Sequence, residues 1–209
     1  MLEEAENFCS QRSYCNMEIY YVMSLQCKRT KTLVEDSSIL PRDQIEDLFK
    51  TGIEEWESTQ ICKQFRSILR TLKLPSPVKK IVGFACGTLD MQRSIFQHAM
   101  LLTMRDVLSE KNGGSEPIPC YVQDPIYNAN EQLVLEGAGI TVLNDPQGFL
   151  EVDDTTAVVS IAPNVPVRQI ISDIAMPALL IWDEVGESED NAREYKETEY
   201  KDTKVSLFG

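Results

Sequence analysis

Clustered metal ligands are missing from this sequence. Its single histidine is His98, and none of its six cysteines belongs to a Cys-x-x-Cys pair. The cysteines are Cys9, Cys15, Cys27, Cys62, Cys86 and Cys120. Because structural zinc sites need thiolates or imidazoles grouped along the chain, we expect no metal centre. Scattered cysteines of this kind are typical of reduced thiols in an intracellular protein.

Long apolar runs are missing as well. No stretch approaches the roughly 20 consecutive apolar residues that a membrane-spanning helix needs, so we expect no membrane partner. The opening residues, MLEEAENFCSQR, are acidic and polar, which is unlike a secretory signal. Both observations favour an intracellular protein, and its 209 residues suit one main domain.

Positive charge is scarce in the middle of the chain. The net charge is −13, although residues 1–80 carry 12 acidic and 12 basic side chains. Residues 81–185 carry 14 acidic and only 4 basic side chains. Since nucleic-acid affinity depends on neutralising phosphates, a segment this acidic repels a polyanion. We therefore expect no nucleic-acid partner for this part of the protein.

Two helices are predicted ahead of the central region. Residues 1–40 form an extension of uncertain structure, in which MEIYYVMSL fits either a strand or the buried side of a helix. Pro41 opens a helical pattern, which Gly52 is expected to break. Ser58 is the expected N-cap of a second helix that runs to about Leu72. The expected apolar stripe of that helix is Ile61, Phe65, Ile68, Leu69 and Leu72.

Basic side chains occupy the opposite side of the second helix. This basic row consists of Lys63, Arg66, Arg70 and Lys73. Between Glu57 and Asp90 the chain has six basic residues and no acidic one. A solvated helix face above a buried stripe accounts for the pattern. The alternative is a docking surface for an acidic protein partner, or for the acidic tail of the protein itself.

Apolar runs and helical patterns alternate after the linker LPSPVKK. The predicted strands are Ile81–Ala85, Ile118–Val122, Ile140–Leu143, Ala157–Ile161 and Ala178–Trp182. The predicted helices lie near Met91–Lys111, Asn128–Glu136 and Val165–Ala175. Strands that are apolar throughout favour a sheet covered on both faces, and the alternation favours parallel strands. The sequence therefore predicts an α/β, three-layer Rossmann-like fold with a mostly parallel sheet of about five strands and a helical N-terminal extension.

The predicted domain boundaries follow from these patterns. Residues 41–185 form the α/β domain, with a helical lead-in at 41–74 and the sheet core at 79–185. The last segment, 186–209, carries 7 acidic and 4 basic side chains and is almost free of apolar residues before Val205. Such a composition buries too little surface to offset the entropy of ordering. We expect an acidic tail that is mobile or loosely helical.

The turn after the first predicted strand reads GFACGTLD and raises the question of a cofactor. A dinucleotide site needs three glycines at G-x-G-x-x-G spacing, whereas this turn has only Gly83 and Gly87. The acidic residue expected about 20 positions later for a ribose is also missing. The letters ACGT are faintly similar to the first motif of S-adenosylmethionine-dependent methyltransferases, but only Gly87 matches with confidence. We expect no established cofactor.

Polar side chains follow the other predicted strands, where ligands gather in doubly wound folds. The candidate crevice for an unknown small ligand consists of Cys86, Gly87, Thr88, Asp124, Asn164 and Asp183. Asp145 follows the third predicted strand and belongs to the same pattern. Converging carboxylates would repel free phosphates unless a divalent cation intervened. The alternative is that these Asp and Asn residues cap the helices and turns that follow them.

No set of residues with catalytic spacing is present. There is no Ser/His/Asp set, and no cysteine stands beside His98 with suggestive spacing. We assign His98 to the surface or the boundary of the core, next to Arg105 and Ser109 on the polar flank of its helix. Gln97 shares an apolar face and is expected to bond to neighbouring backbone. We name no catalytic residue.

The order of several pieces resembles the sensitivity-to-red-light-reduced-like (SRR-like) family, and within it a fungal form. These pieces are EEWESTQICKQFRSIL, KKIVGFACGTL with FQHAMLL, YVQDPIYNANEQLVLEGAGITVL and the late strands. Together they cover roughly residues 53–185. The resemblance implies a regulatory protein of the cytoplasm and nucleus, linked to circadian timing, light or stress signalling, microtubule stability or haem biosynthesis. It implies no settled catalytic reaction.

The chain departs from the pattern of the family at three strand ends. Ala85-Cys86-Gly87 stands where the family has more glycine, and Pro163-Asn164-Val165 stands where a Pro-His-Cys-like triplet is usual. The last strand ends in Trp182-Asp183, where Gly-Asn is usual. The missing histidine removes the best acid/base group or metal ligand, so activity inferred for relatives does not transfer.

Three functional hypotheses follow. The leading one is a non-enzymatic regulatory or interaction domain that acts through protein partners. The second is an enzyme or sensor that binds a nucleotide-like or S-adenosylmethionine-like molecule at Gly87–Thr88, with Asp124 and Asp183 facing it. The third is an adaptor that binds partners through the basic row and the acidic tail.

Overall fold

The computed structural model describes residues 10–12, 17–19, 39–114, 116–183 and 205–208, and it divides into two compact units, 1–39 and 40–209. In the first unit, strands β1 (Ser10–Arg12) and β2 (Met17–Ile19) pair antiparallel, with Ser10 opposite Ile19. The strand interpretation of the MEIYYVMSL segment therefore holds at its first three residues.

The second unit begins with the predicted helical lead-in. Helix α1 spans Arg42–Ser58 and helix α2 spans Gln60–Thr71. The expectation that Gly52 breaks the first helix is wrong. Gly52 is buried within α1, where a Cβ atom would overlap the side chain of Ile95. Glycine at this position lets two helices approach closely instead of ending one of them.

Helix α2 corrects two further expectations. Ser58 is the last residue of α1, and the N-cap of α2 is Thr59, whose Oγ1 accepts a hydrogen bond from the Cys62 amide at 3.0 Å. The apolar stripe is also narrower than expected, because Ile61 is 65% and Ile68 is 40% exposed. The buried residues of α2 are Cys62, Phe65 and Leu69.

Five parallel strands form the central sheet, as the sequence predicts. They are β3 (Lys80–Phe84), β4 (Cys120–Gln123), β5 (Thr141–Val142), β6 (Thr156–Ser160) and β7 (Leu179–Asp183). A sixth strand, β8 (Val205–Phe208), pairs antiparallel with β7, so the order is β5-β4-β3-β6-β7-β8. The expected mobile tail, 186–209, lies outside the described residues at 186–204, where it stays a prediction. At 205–208 it forms strand β8 instead of a mobile or loosely helical segment.

Helices cover both faces of this sheet. They are α3 (Gln92–Lys111), α4 (Ala129–Gly137), α5 (Gln147–Leu150) and α6 (Val167–Ile174). On the face called here the first face, Ile81 packs with Leu101 and Met104 of α3. On the second face, Phe84 packs with Phe149 of α5 and Ile171 of α6. Because strand residues alternate between two apolar layers, the fold is three-layered and Rossmann-like.

Strand order places a switch point between β3 and β6. The chain leaves β3 toward β4 and β5 on one side, then returns to β6 on the other side. The connections that leave two neighbouring strands in opposite directions open a crevice at their carboxyl ends. Among the residues that the structure describes, no helix combines the length and apolarity needed to cross a lipid bilayer.

Candidate functional site

The loops that leave β3 and β6 share an unusual backbone conformation. Ala85, directly after β3, has φ 54°, and Ala162, two residues after β6, has φ 51°. Residues other than glycine rarely adopt this left-handed region, and such strain often accompanies functional loops. Gly87 follows with φ 77°. The switch point is therefore bordered by two strained alanines and a glycine suited to its turn.

Asp124 joins the end of β4 to the turn after β3. Its Oδ2 accepts a hydrogen bond from the Gly87 amide at 2.9 Å, and its Oδ1 accepts one from the Ile126 amide at 3.1 Å. The structure thus brings together Asp124 and Gly87, two residues of the predicted crevice. Both carboxylate oxygens are bonded to backbone, as in the alternative in which Asp fastens a turn.

A second carboxylate, Glu131, fastens the same turn and was missed by sequence reasoning. Its side chain is buried, and its Oε1 accepts a hydrogen bond from the Leu89 amide at 2.6 Å. Its Oε2 accepts one from the Asn128 amide at 2.9 Å, while Asn128 caps α4 in return. The signal was available, because Asn followed three residues later by Glu is a capping box.

The remaining crevice residues stay apart from this pair of carboxylates. Thr88 donates its hydroxyl hydrogen to Asp90 within the same loop. Asn164 is exposed in the loop after β6, and Asp183 ends β7. Asp145 is exposed and accepts a hydrogen bond from Gln123 Nε2 at 3.0 Å. In the described part of the chain, no hydrogen bond joins Asn164 to Asp124 or Gly87.

Cys86 is buried beneath the turn. Only 1% of its surface is exposed, and a Cβ atom added to Gly83 would lie 2.9 Å from its Sγ. Burial raises the pKa of the Cys86 thiol well above its ordinary value, and the charge of Asp124 acts in the same direction. Since the thiolate is the nucleophilic form, burial and the raised pKa disfavour a nucleophilic role for this thiol in the folded protein.

His98 is fully buried, so its assignment to the surface or boundary is wrong. Its Nδ1 lies 2.7 Å from the Ser94 carbonyl oxygen, and its Nε2 lies 2.8 Å from the Tyr127 hydroxyl. Because a carbonyl only accepts, Nδ1 carries the proton and the Tyr127 hydroxyl donates to Nε2. Burial lowers the pKa of His98 to about 4, despite the bond to Ser94. The imidazole is therefore neutral near pH 7.

Neighbours of His98 explain the wrong assignment. Arg105 was taken to mark a polar flank, yet its Nη1 donates to the Ala138 carbonyl at 2.9 Å and caps the end of α4. Ser109 is also buried, and its hydroxyl donates to the Arg105 carbonyl. The Oε1 of Gln97 has no hydrogen-bond partner among the described residues, so the expected backbone bond is not made at that atom.

Two members of the basic row form intramolecular ion pairs. Arg66 Nη2 lies 3.7 Å from Glu57 Oε1, and Arg70 Nη2 lies 3.7 Å from Glu110 Oε2. Lys63 and Lys73 are exposed. Exposed pairs at such distances contribute little free energy, on the order of 0–1 kcal/mol. A partner-binding role for the row stays a prediction.

A protein-family model matches most of the second unit. The model of the SRR1 domain matches residues 59–207, from the N-cap of α2 into β8. This match covers more than half of the chain, which therefore belongs to the SRR1 domain family. A search of curated proteins and a search of solved structures each found no match.

Proposed function

Starting from membership of the SRR1 domain family, we propose that the chain is a non-enzymatic regulatory protein that acts through protein partners. The observation that carries this proposal is that amides of the turn after β3 already donate hydrogen bonds to side chains of the protein. The amides of Gly87 and Leu89 donate to the carboxylates of Asp124 and Glu131, at 2.9 and 2.6 Å. Two side chains of the protein thus occupy amides of the loop between β3 and α3.

Phosphate binding at this turn would be costly. In nucleotide-binding folds, free backbone amides at the start of the helix after the first strand hold the phosphate. Here a phosphate that bound the loop amides of Gly87 and Leu89 would have to displace Asp124 and Glu131 and would meet two negative charges. The arrangement stabilises the turn and disfavours anionic cofactors.

Buried neutral groups support the same proposal. A general acid or base works best with a pKa near the operating pH, and nucleophilic catalysis by cysteine needs the thiolate. The pKa of His98 is about 4, and burial raises the pKa values of Cys86 and Tyr127. The polar atoms of these three side chains are buried and joined by hydrogen bonds through Tyr127. Such a network suits a rigid scaffold better than proton transfer.

A melting experiment tests the proposal. S-adenosylmethionine, nicotinamide dinucleotides and ATP with magnesium should each leave the melting temperature of the full chain unchanged. The reason is that only a ligand that binds the folded state raises that temperature. A reproducible upward shift with any of these ligands would contradict the proposal and favour a cofactor-binding protein.

A second candidate function is binding of a small molecule at the switch point. The observation that favours it is the Ser160 hydroxyl, which is fully buried at the end of β6 and has no hydrogen-bond partner among the described residues. Together with the strained Ala85 and Ala162, it suggests a polar group available to an uncharged ligand. Stabilisation by adenosine or uridine, lost in Ser160→Ala, would establish this function.

The adaptor hypothesis is supported by the weak pairing of the basic row. Replacing Lys63, Arg66, Arg70 and Lys73 by Glu should abolish capture of an acidic peptide while leaving the fold intact, as judged by circular dichroism. Unchanged capture would remove the hypothesis. The regulatory contexts that the resemblance implies, and a location in the cytoplasm or nucleus, belong to the leading proposal and await direct tests in cells.

A further inference from the structure

A groove lies on the outer surface of the helical layer, between α1 and α4. Its volume is about 440 Å³. The residues that matter here are Glu46, Phe49, Ile53 and Glu54 on α1 and Val134 and Gly137 on α4. The groove is separate from the switch point, because none of the crevice residues named above lines it.

The floor of the groove is apolar and its middle is open. Phe49 and Val134 are buried at the bottom, and Ile53 is partly exposed above them. Gly137 is exposed, and a Cβ atom added there would meet no atom within 4 Å. Gly137 is the last residue of α4, and its missing side chain leaves this space open.

Negative charge dominates the rim. The rim acids Glu46 and Glu54 are exposed, and of these only Glu46 forms an ion pair in the described part of the chain, with Arg42 at 2.8 Å. Exposed pairs of this i,i+4 kind contribute about 0.3–0.5 kcal/mol and are readily exchanged. The carboxyl end of α4 adds little to this charge, because Arg105 Nη1 already donates to the Ala138 carbonyl at 2.9 Å. Of the residues that line the groove, two are acidic and one, Lys50, is basic, so the lining carries one net negative charge.

We propose that this groove docks a cationic amphipathic segment of a partner protein. An apolar side chain of the segment enters the space above Gly137, between Ile53 and Val134. Its Lys or Arg side chains pair with Glu54 and Glu46. The inference rests on the proposed function, because it names the chemistry of the partner through which the domain acts.

Other occupants fit less well. A small molecule is normally enclosed over most of its surface, whereas Glu46, Glu54 and Gly137 are exposed and leave the groove open. A second copy of the chain would bring another protein of net charge −13 against an acidic rim. A cationic segment gains from both the apolar floor and the charged rim.

Two peptides test the proposal on the full chain. The probe is a fluorescein-labelled amphipathic peptide of leucine and lysine, and its control has the same pattern with glutamate in place of lysine. Fluorescence anisotropy should show binding of the lysine peptide that weakens with added salt, and no binding of the glutamate peptide. Equal binding of both peptides, or no binding of either, would overturn the inference.

Variants locate the binding at the groove. Gly137→Phe should fill the space and weaken the lysine peptide at least about tenfold, or about 1.4 kcal/mol. Gly137→Ala, its matched control, should bind like the unchanged protein, and thermal melting checks that both variants fold. Equal affinities for the two variants would place the peptide elsewhere and overturn the proposal.

Charge reversal completes the test. Glu46→Lys with Glu54→Lys should weaken the lysine peptide about tenfold more than Asp154→Lys with Asp173→Lys, two exposed acids outside the groove. Equal losses would mean general attraction to an acidic protein and would contradict docking. Dimerisation that Gly137→Phe abolishes would make a second copy the occupant instead. None of these outcomes changes the result expected in the melting test of the proposed function. Failure of the docking proposal can therefore be told apart from failure of the proposed function.

Discussion

One face of the sheet is covered by long helices and the other by short ones. On the first face α3 runs for 20 residues and packs against α1 and α2, whereas α5 and α6 on the second face have four and eight residues. Leu150 in α5 and Met176 after α6 are 74% and 82% exposed. The difference indicates that the first face supplies most of the stability, and the second face leaves apolar surface near solvent.

Hydrogen bonds between helices also stabilise the packing on the first face. The Trp56 indole of α1 donates to Thr103 of α3 at 3.0 Å, and both residues are buried. Lys111 at the end of α3 donates to the Leu69 carbonyl of α2 at 3.2 Å. The buried bond between Trp56 and Thr103 is satisfied and fixes one arrangement of α1 against α3. The first face is therefore expected to be rigid as well as stable.

Truncation of one buried side chain on each face tests the comparison most strongly. Leu101 in α3 and Ile171 in α6 are 0% and 2% exposed. Leu101→Ala should lower the free energy of unfolding by about 4 kcal/mol, because the helices above it hold the cavity open. Ile171→Ala should cost about 2 kcal/mol, since the short α6 can settle into the gap. Urea denaturation measures both, and equal losses would remove the proposed difference.

The pH dependence of stability should come from a histidine of α3, on the first face of the sheet. His98 is the single histidine of the chain, and its pKa is lowered from 6.5 to about 4. The unfolded chain therefore binds a proton between pH 6.5 and 4 while the folded chain does not. Stability is fully present above pH 6.5 and falls with pH by about 3 kcal/mol across this window.

His98→Gln isolates this effect. The variant should be less stable at pH 7, because a buried hydrogen-bond network is altered, but its unfolding free energy should change little between pH 6.5 and about 5. Carboxylates titrate mainly below that range. Urea denaturation at several pH values gives the slope. A slope equal to that of the unchanged protein would mean that another group titrates.

Two glycines on the helices of the first face should respond in opposite directions. Gly52→Ala places a methyl group against the branched side chain of Ile95 and should cost about 1–3 kcal/mol. Gly137→Ala adds a methyl group in open space at the last residue of α4 and should stabilise the protein slightly, by less than the roughly 1 kcal/mol expected inside a helix. Thermal melting distinguishes them, and a loss in both variants would show that the outer surface of α4 is covered.

Sequence patterns were sufficient to predict the helices and strands whose buried residues recur at regular intervals. The strands at Ile81 and Ala157 and the long α3 were predicted to within a few residues, because apolar runs and helical periods are local signals. The burial of His98 was not a local signal. Apolar side chains surround α3 on almost all sides. The bond from His98 to Ser94 is local to α3, whereas its bond to Tyr127 depends on how α3 packs against the loop before α4.

The candidate site shows the same limit. Residues after neighbouring parallel strands meet at one edge, so the proximity of Gly87 to Asp124 could be predicted. Whether Asp124 faces a ligand or fastens a turn depends on its hydrogen-bond partners, and both outcomes fit the sequence. The Asn128–Glu131 capping box was readable, but the bond from Leu89 to Glu131 joins residues 42 positions apart.

The smallest expected effect concerns the exposed part of the second face. Leu150→Ser should change the free energy of unfolding by no more than about 0.5 kcal/mol, because the side chain is 74% exposed. Its neighbour provides the control: Phe149 is buried and stacks on Phe84 with ring centroids 4.6 Å apart, so Phe149→Ser should cost about 3 kcal/mol or more. Urea denaturation at two protein concentrations compares them. A loss of more than about 1 kcal/mol in Leu150→Ser would mean that this side chain is covered in solution, and a loss that grows with concentration would identify the cover as a second copy.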